Sequence, residues 1–259
     1  MRMMKKVMGT VAALALSVSL LAGCGSTASS TASSAASTAA ESTASSAASE
    51  TTSAAADENA AAAAQLLNDL TGSYQELWPV ILADEYQQTW LDDCTALVGE
   101  DNAEAAFEKL SSMVTGGVYG EDAVKAYANG GGAYFCGFTN GLATLTFDGE
   151  TSTISGMDKD GNALFSHTYH YIGMEPVRGL YEFESDDAGS GEFTYFFLAP
   201  DTSAQTYHIE FRYGSDADAL SQYDAGDYAY WLASGISTDC DQTMIDNCIE
   251  LFCTENLAG

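Results

Sequence analysis

Two hydrophobic periods divide the chain. Between Asp57 and about Asn129, apolar residues recur at helical spacing. Asp57 can cap "ENAAAAAQLLNDL", and "YQELWPVILADEYQQTWLDDCTALV" places Tyr74, Leu77, Trp78, Ile81 and Leu82 on one helical face. Pro79 marks a kink or a helix start there, because proline lacks the N–H that a helix interior uses. "DNAEAAFEKLSSMV" and "EDAVKAYAN" read as shorter helices, each ended by glycines.

From Ala133 the period becomes two. "AYFCGFT", "LATLTFD", "ALFSHTYHYIG", "VRGLYEFES", "EFTYFFLAP" and "TYHIEFRYG" read as six successive strands. "DG" at 148–149 and at 160–161, "DDAGSG" and "PDTSAQ" supply the connecting turns. So many consecutive antiparallel strands form a meander that curls into a barrel. "SDADALSQY", "YAYWLASG" and "STDCDQTMIDNCIELFCTEN" return to helix, the last capped from among Ser237, Thr238 and Asp239. The predicted fold is therefore α+β and mainly β: an antiparallel barrel preceded by N-terminal helices and closed by C-terminal ones.

The N-terminus changes where this domain is expected to work. Arg2, Lys5 and Lys6 precede a short apolar stretch ending at Cys24, the pattern of a secretory signal over residues 1–23. "LAGC" resembles the bacterial lipobox, in which the cysteine is diacylated and becomes the mature N-terminus. Two buried acyl chains anchor stably, at about 0.8 kcal/mol per methylene. The expected location is the outer face of the cytoplasmic membrane. Residues 24–56 then form the anchor and a Ser/Ala/Thr tract too poor in apolar side chains to fold, a tether with a span of roughly 30 Å. Residues 57–259 are left as the domain.

Charge narrows the partners. Beyond the signal only Lys109, Lys125, Lys159, Arg178 and Arg212 are basic, against 37 carboxylates, so the mature chain carries a net charge near −32. Such a surface repels phosphate backbones and attracts cations, which excludes nucleic acid as a natural partner. Cys94, Cys136, Cys240, Cys248 and Cys253 show no C-x-x-C spacing, so neither a zinc ribbon nor a thioredoxin motif is present. One or two disulfides are open to an exported chain, although Cys248 and Cys253 cannot bridge each other along one helix. No nucleophile elbow, P-loop or H-E-x-x-H occurs, and the chain is read as a binding protein, not an enzyme. "DKDGN" at 158–162 lacks the glycine and the final glutamate of a calcium loop, Ala163 and Tyr169 standing in their places, and reads as a hairpin turn.

Four segments in order resemble the ZinT (YodA) domain family, calycin-like barrels that bind zinc outside the cytoplasm. "DLTGSYQELWPVI" is similar to the family's opening motif through Asp69, Gly72, Tyr74, Gln75, Trp78 and Pro79. "PVRGLYEFE" matches at Val177, Arg178 and Phe183, "LAPDTSAQTYHIEFRYGSD" at His208, and "YAYWLASGIS" follows. The resemblance implies zinc binding and delivery to, or buffering for, a metal transporter. It also implies three histidine ligands, of which this chain keeps His208, with Thr206 and Phe196 at the other two positions.

Alternation along a strand puts Thr206, His208 and Glu210 on one face. His208 and Glu210 are thus the candidate metal ligands, an imidazole and a carboxylate that both suit zinc. His167 and His170 face opposite sides of their own strand, so at most one of them can join. The competing readings are His208 as a hydrogen-bonded residue of the barrel interior, and a calycin module that has lost the metal and takes a small organic or peptide ligand. A third is an interaction module with a closed core. Arg178, in an apolar strand, is expected to pair with Glu210 or Glu182.

Overall fold

The computed structural model describes residues 58–199 and 208–258; the signal, Cys24, the Ser/Ala/Thr tract, Asp57 and residues 200–207, Thr206 among them, lie outside these. The described helices are α1 (residues 58–69), α2 (Leu77–Ile81), α3 (Gln87–Val98), α4 (Glu100–Met113), α5 (Glu121–Ala128), α6 (Ala217–Leu220) and α7 (Gln242–Leu257). The strands are β1 (Gly72–Glu76), β2 (Thr144–Asp148), β3 (Thr153–Met157), β4 (Ala163–Met174), β5 (Tyr181–Ser185), β6 (Tyr195–Leu198), β7 (His208–Gly214) and β8 (Ala233–Ser237). Each strand pairs antiparallel with the next, and β8 returns to β1 to close a barrel. The α+β barrel expected from the sequence is the fold observed.

Four local readings are replaced. "GSYQE" is a strand and not a helical turn, because Tyr74 pairs with Leu145 on one side and Ser237 on the other. Closure of the barrel satisfies that backbone on both edges, which outweighs a local helical period. The helical spacing is real only from Leu77, and Pro79 sits in the first turn of α2, where its missing N–H costs nothing. "YAYWLASG" likewise ends in strand β8, whose Gly235 opposes Ile209. "AYFCGFT", by contrast, is extended but belongs to no ladder: Phe135 makes single bridges to Thr115 and Trp231. The last helix is capped by Asp241, whose carboxylate accepts the Met244 N–H, a few residues later than expected. Asp158 ties "DKDGN" into a turn by accepting from the N–H groups of Asp160 and Asn162 and from the Asn162 amide. These hydrogen bonds, led by the Asn162 side chain, hold its carboxyl below the usual range.

The barrel interior is filled with rings. Tyr74, Phe147, Phe165, Tyr169, Phe183, Phe196, Phe211 and Tyr213 are buried there, and Phe196 lies against the rings of Phe165, Tyr169, Phe211 and Tyr213. Phe165 leaves so little room across the ladder that a Cβ on Gly156 would come within 2.4 Å of its ring. A second core lies outside the wall. There Trp78, Ile81, Trp90, Ile249 and Cys253, from α2, α3 and α7, pack over Ile236 on the outer face of β8. The Trp90 indole donates to the Ile81 carbonyl at 2.7 Å, satisfying a buried polar group at that helix junction.

Truncating the central ring tests this filling. Phe196→Ala should lower the unfolding free energy by about 3–5 kcal/mol, seen as a reduced urea midpoint with unchanged slope. A loss below about 1 kcal/mol would show that the interior is not a packed core.

Candidate functional site

His208 and Glu210 do share a face of β7, and it is the outer one. Ile209, Phe211 and Tyr213 point into the ring-filled interior, so the alternate residues His208, Glu210 and Arg212 point away from it. The reading of His208 as an interior residue is thereby corrected. Its imidazole, half-buried, meets the Phe252 ring of α7 at 5.7 Å between centroids. Across the ladder His208 stands beside Ile236, and Glu210 beside Ser234.

The same alternation separates the positions that the family resemblance groups together. Phe196, on β6, pairs with Tyr213 of β7 and is wholly inside the barrel. His208 is outside, so a histidine at Phe196 could not reach an ion held by His208 across the sheet. Thr206 lies outside the described residues.

The other two histidines stay on their own side. His167 and His170 face opposite ways on β4, as the sequence predicts, and β4 stands three strands from β7 in the barrel order. His167 Nδ1 is 3.0 Å from Asp187 and stacks on Phe165; His170 Nδ1 is 2.8 Å from Asp186, with Glu184 4.0 Å from its Nε2. Neither supplies a third ligand to His208 and Glu210. Among the described residues, no three His, Cys, Asp or Glu side chains are grouped so as to hold a metal ion. His208 and Glu210 supply one nitrogen and one oxygen donor, fewer than the four protein ligands of a closed zinc cage.

Two cysteines that the sequence reading left aside neighbour this face. Burial pushes the thiols of Cys136 and Cys248 up to about 12, and the Glu210 carboxylate adds to both shifts. The Glu210 carboxylate therefore shares its surroundings with the Cys136 and Cys248 thiols. Nothing in the cysteine spacing pointed to this, because the three residues come from distant parts of the chain.

Arg212, third on the outer face, is fully buried, and its guanidinium donates to the carbonyls of Leu220 and Tyr228. It lies 4.3 Å from the centre of the Tyr223 ring. In place of the strand position expected of it, Arg178 sits in the turn between β4 and β5, with its guanidinium 4.4 Å from the same ring. Its backbone N–H donates to the buried Glu175 carboxylate at 2.6 Å. The alternation of "TYHIEFRY" could have placed Arg212 on the face of His208; only the fold shows that the loop beyond β7 closes over it.

Among the described residues, a cavity of about 370 Å³ is bounded by Glu76, Trp78, Pro79, Leu82, Phe135 and Cys136, and another of about 270 Å³ by Thr115, Val118, Ala126 and Tyr127. No helix among the described residues is long and apolar enough to cross a membrane.

No family model matches the chain, and no curated protein matches it. Among solved structures it is similar to the Zn(II)-bound ZinT-like domain of AdcA from Streptococcus pneumoniae, with 14% identity and a TM-score of 0.45 over 71% of this chain and 89% of that one. It is also similar to Zn(II)-bound AdcA of the same organism, at 14% identity and a TM-score of 0.42. That match covers 72% of this chain and 35% of AdcA, so the chain spans about a third of that protein's length. The first is a domain of the family whose motifs the sequence resembles; the chemistry of the site is taken from this chain's own residues.

The buried thiols give a pH dependence with a definite sign. A folded-state thiol pKa above the unfolded value means that the native state holds protons which the unfolded chain releases. The contribution of the two thiols to stability is then intact below about pH 9 and is lost between about pH 9 and 12, by about 1.4 kcal/mol per pH unit for each thiol. Urea midpoints measured at pH 8, 9 and 10 should decline, and the decline should be shallower in Cys136→Ala/Cys248→Ala. Equal slopes in the two proteins would contradict the burial of these thiols.

Proposed function

We propose that the mature chain is an extracytoplasmic binding module, held at the membrane through lipidated Cys24, that takes up a divalent cation, zinc foremost, at an open site formed by His208 and Glu210. The carrying observation is the placement of an imidazole and a carboxylate side by side on the outer face of β7, both half-buried. The net charge of the mature chain, near −32, raises the local concentration of cations around that face. Neutral His208 would donate a nitrogen lone pair and Glu210 an oxygen; bound zinc would supply the positive charge that Glu210 faces. Two protein ligands release an ion more readily than four, which suits buffering or transfer to a transporter better than permanent storage. The role is binding and not catalysis.

A second reading, an interaction module with a closed core, is favoured by the ring-filled barrel and by the missing third ligand among the described residues. The same filling disfavours a small organic ligand inside the barrel, which would have to displace several fully buried rings.

Zinc titration of the metal-stripped chain by calorimetry separates these readings. One saturable site is expected, weakened at least tenfold by His208→Ala, about 1.4 kcal/mol, and weakened on acidification because a protonated imidazole cannot coordinate. No saturable site, or one indifferent to His208→Ala, would leave the interaction module. The location is tested separately: Cys24→Ala should abolish incorporation of labelled palmitate, and incorporation that persists would refute the anchor.

A further inference from the structure

Cys94 on α3 and Cys253 on α7 are both fully buried, and their sulfur atoms lie 3.8 Å apart. They are separated by 159 positions in the sequence, yet α3 packs directly along α7 and brings them into contact. Cys248, one turn and a half earlier on α7, faces the barrel side near Glu210, and Cys136 lies against the Tyr134 carbonyl. No other pair of the five cysteines shows a sulfur–sulfur contact of this kind among the described residues.

We infer that Cys94 and Cys253 are a disulfide-forming pair that staples the C-terminal helix to α3 in the exported chain. A buried cysteine can serve simply as a small apolar residue. Two of them meeting sulfur to sulfur at 3.8 Å across a helix interface, in a chain bound for an oxidising compartment, are placed so that a small approach would close a disulfide. The occurrence of the bond in cells rests on the extracytoplasmic reading above; the pairing itself rests on the helix interface alone.

The chemistry fixes when the bond must form. Burial is the main cause that pushes both thiols above the ordinary range, so the folded protein presents little thiolate and no open path to an oxidant. Oxidation therefore belongs to the folding chain, before α7 docks. The oxidant is another disulfide, carried by an extracytoplasmic thiol–disulfide oxidoreductase or a small molecule. One cysteine thiolate attacks a sulfur of that disulfide and displaces a thiolate, giving a mixed disulfide. The second cysteine then attacks the first, and the oxidant leaves as a dithiol. Two electrons and two protons pass from the cysteine pair to the oxidant. Once made, the bond is shielded from reductants by the same packing.

The stabilising effect follows from the length of chain enclosed. A closed loop of this size removes much of the freedom of the unfolded chain, and in a domain of this size the melting temperature should rise by roughly 5–15 °C. The pairing also ties α7 to α3.

The full-length chain should be unfolded under reducing conditions, refolded in a glutathione redox buffer, alkylated and mapped by peptide mass spectrometry. A Cys94–Cys253 cross-linked peptide, lacking two hydrogens relative to the reduced pair, is expected. After reduction of the unfolded chain and refolding without oxidant, the melting temperature should be lower by that amount, and Cys94→Ala/Cys253→Ala should be indifferent to this treatment. Should the double variant fail to fold, the peptide map of the unaltered chain still decides. Cys94 and Cys253 both recovered as alkylated thiols, or joined to other cysteines, would overturn the pairing. The same map of chain taken from bacterial membranes tests location: cross-linked in the redox buffer but free in cells would overturn the extracytoplasmic reading and keep the pair.

Discussion

The ring-packed closure of the barrel is the constraint on which the rest depends. Eight short strands satisfy one another's backbones around the full circle, and their inward side chains are mostly phenylalanine and tyrosine, in mutual contact. A barrel filled by its own side chains is a core and not a container. Whatever this domain binds must therefore be met on the outside of the wall, at its rims or on the helices packed against it. Gly156 shows how tight the filling is, since the Phe165 ring takes the space that a side chain there would need.

With the interior occupied, the outer face of β7 becomes the informative surface. His208, Glu210 and Arg212 follow one another along it, and each is dealt with differently by what lies above. His208 touches α7 through Phe252, Glu210 shares its surroundings with two protonated thiols, and Arg212 is sealed under the loop beyond the strand. The sealed guanidinium fixes that loop by taking its carbonyls as acceptors, which keeps a buried cation hydrogen-bonded. The helix that covers His208 is the helix that Cys94 and Cys253 would hold. The candidate site and the candidate staple thus share one structural element, α7, although each stands on separate observations.

Much of this architecture was legible in the sequence. The strand alternation from Leu142 to Gly214 marked most of the barrel, and the opposed faces of His167 and His170 followed from it. The strands that were missed have physical reasons. Gly72–Glu76 and Ala233–Ser237 are strands because barrel closure needs them at either end of the ladder, not because their own residues insist on it. Thr153–Met157 is short and carries a glycine, so its period is too weak to read. For the site, alternation correctly joined His208 to Glu210. It could not say which face is inward, since that depends on which alternate residues meet across the barrel. A family pattern placed Phe196 beside His208, and the fold puts the wall of the sheet between them. The contact of Cys94 with Cys253 was out of reach because it arises from the docking of two helices far apart in sequence.

The central proposal is that zinc binds on the outer face of β7 and leaves the barrel interior untouched. Amide and imidazole NMR spectra of the labelled, metal-stripped chain, recorded during zinc addition, test it directly. The account predicts saturable shifts centred on His208, Glu210 and the facing turn of α7 around Phe252, with Phe196 and Tyr213 unmoved. Shifts centred on the interior residues, or on His167 and His170 at β4, would contradict it.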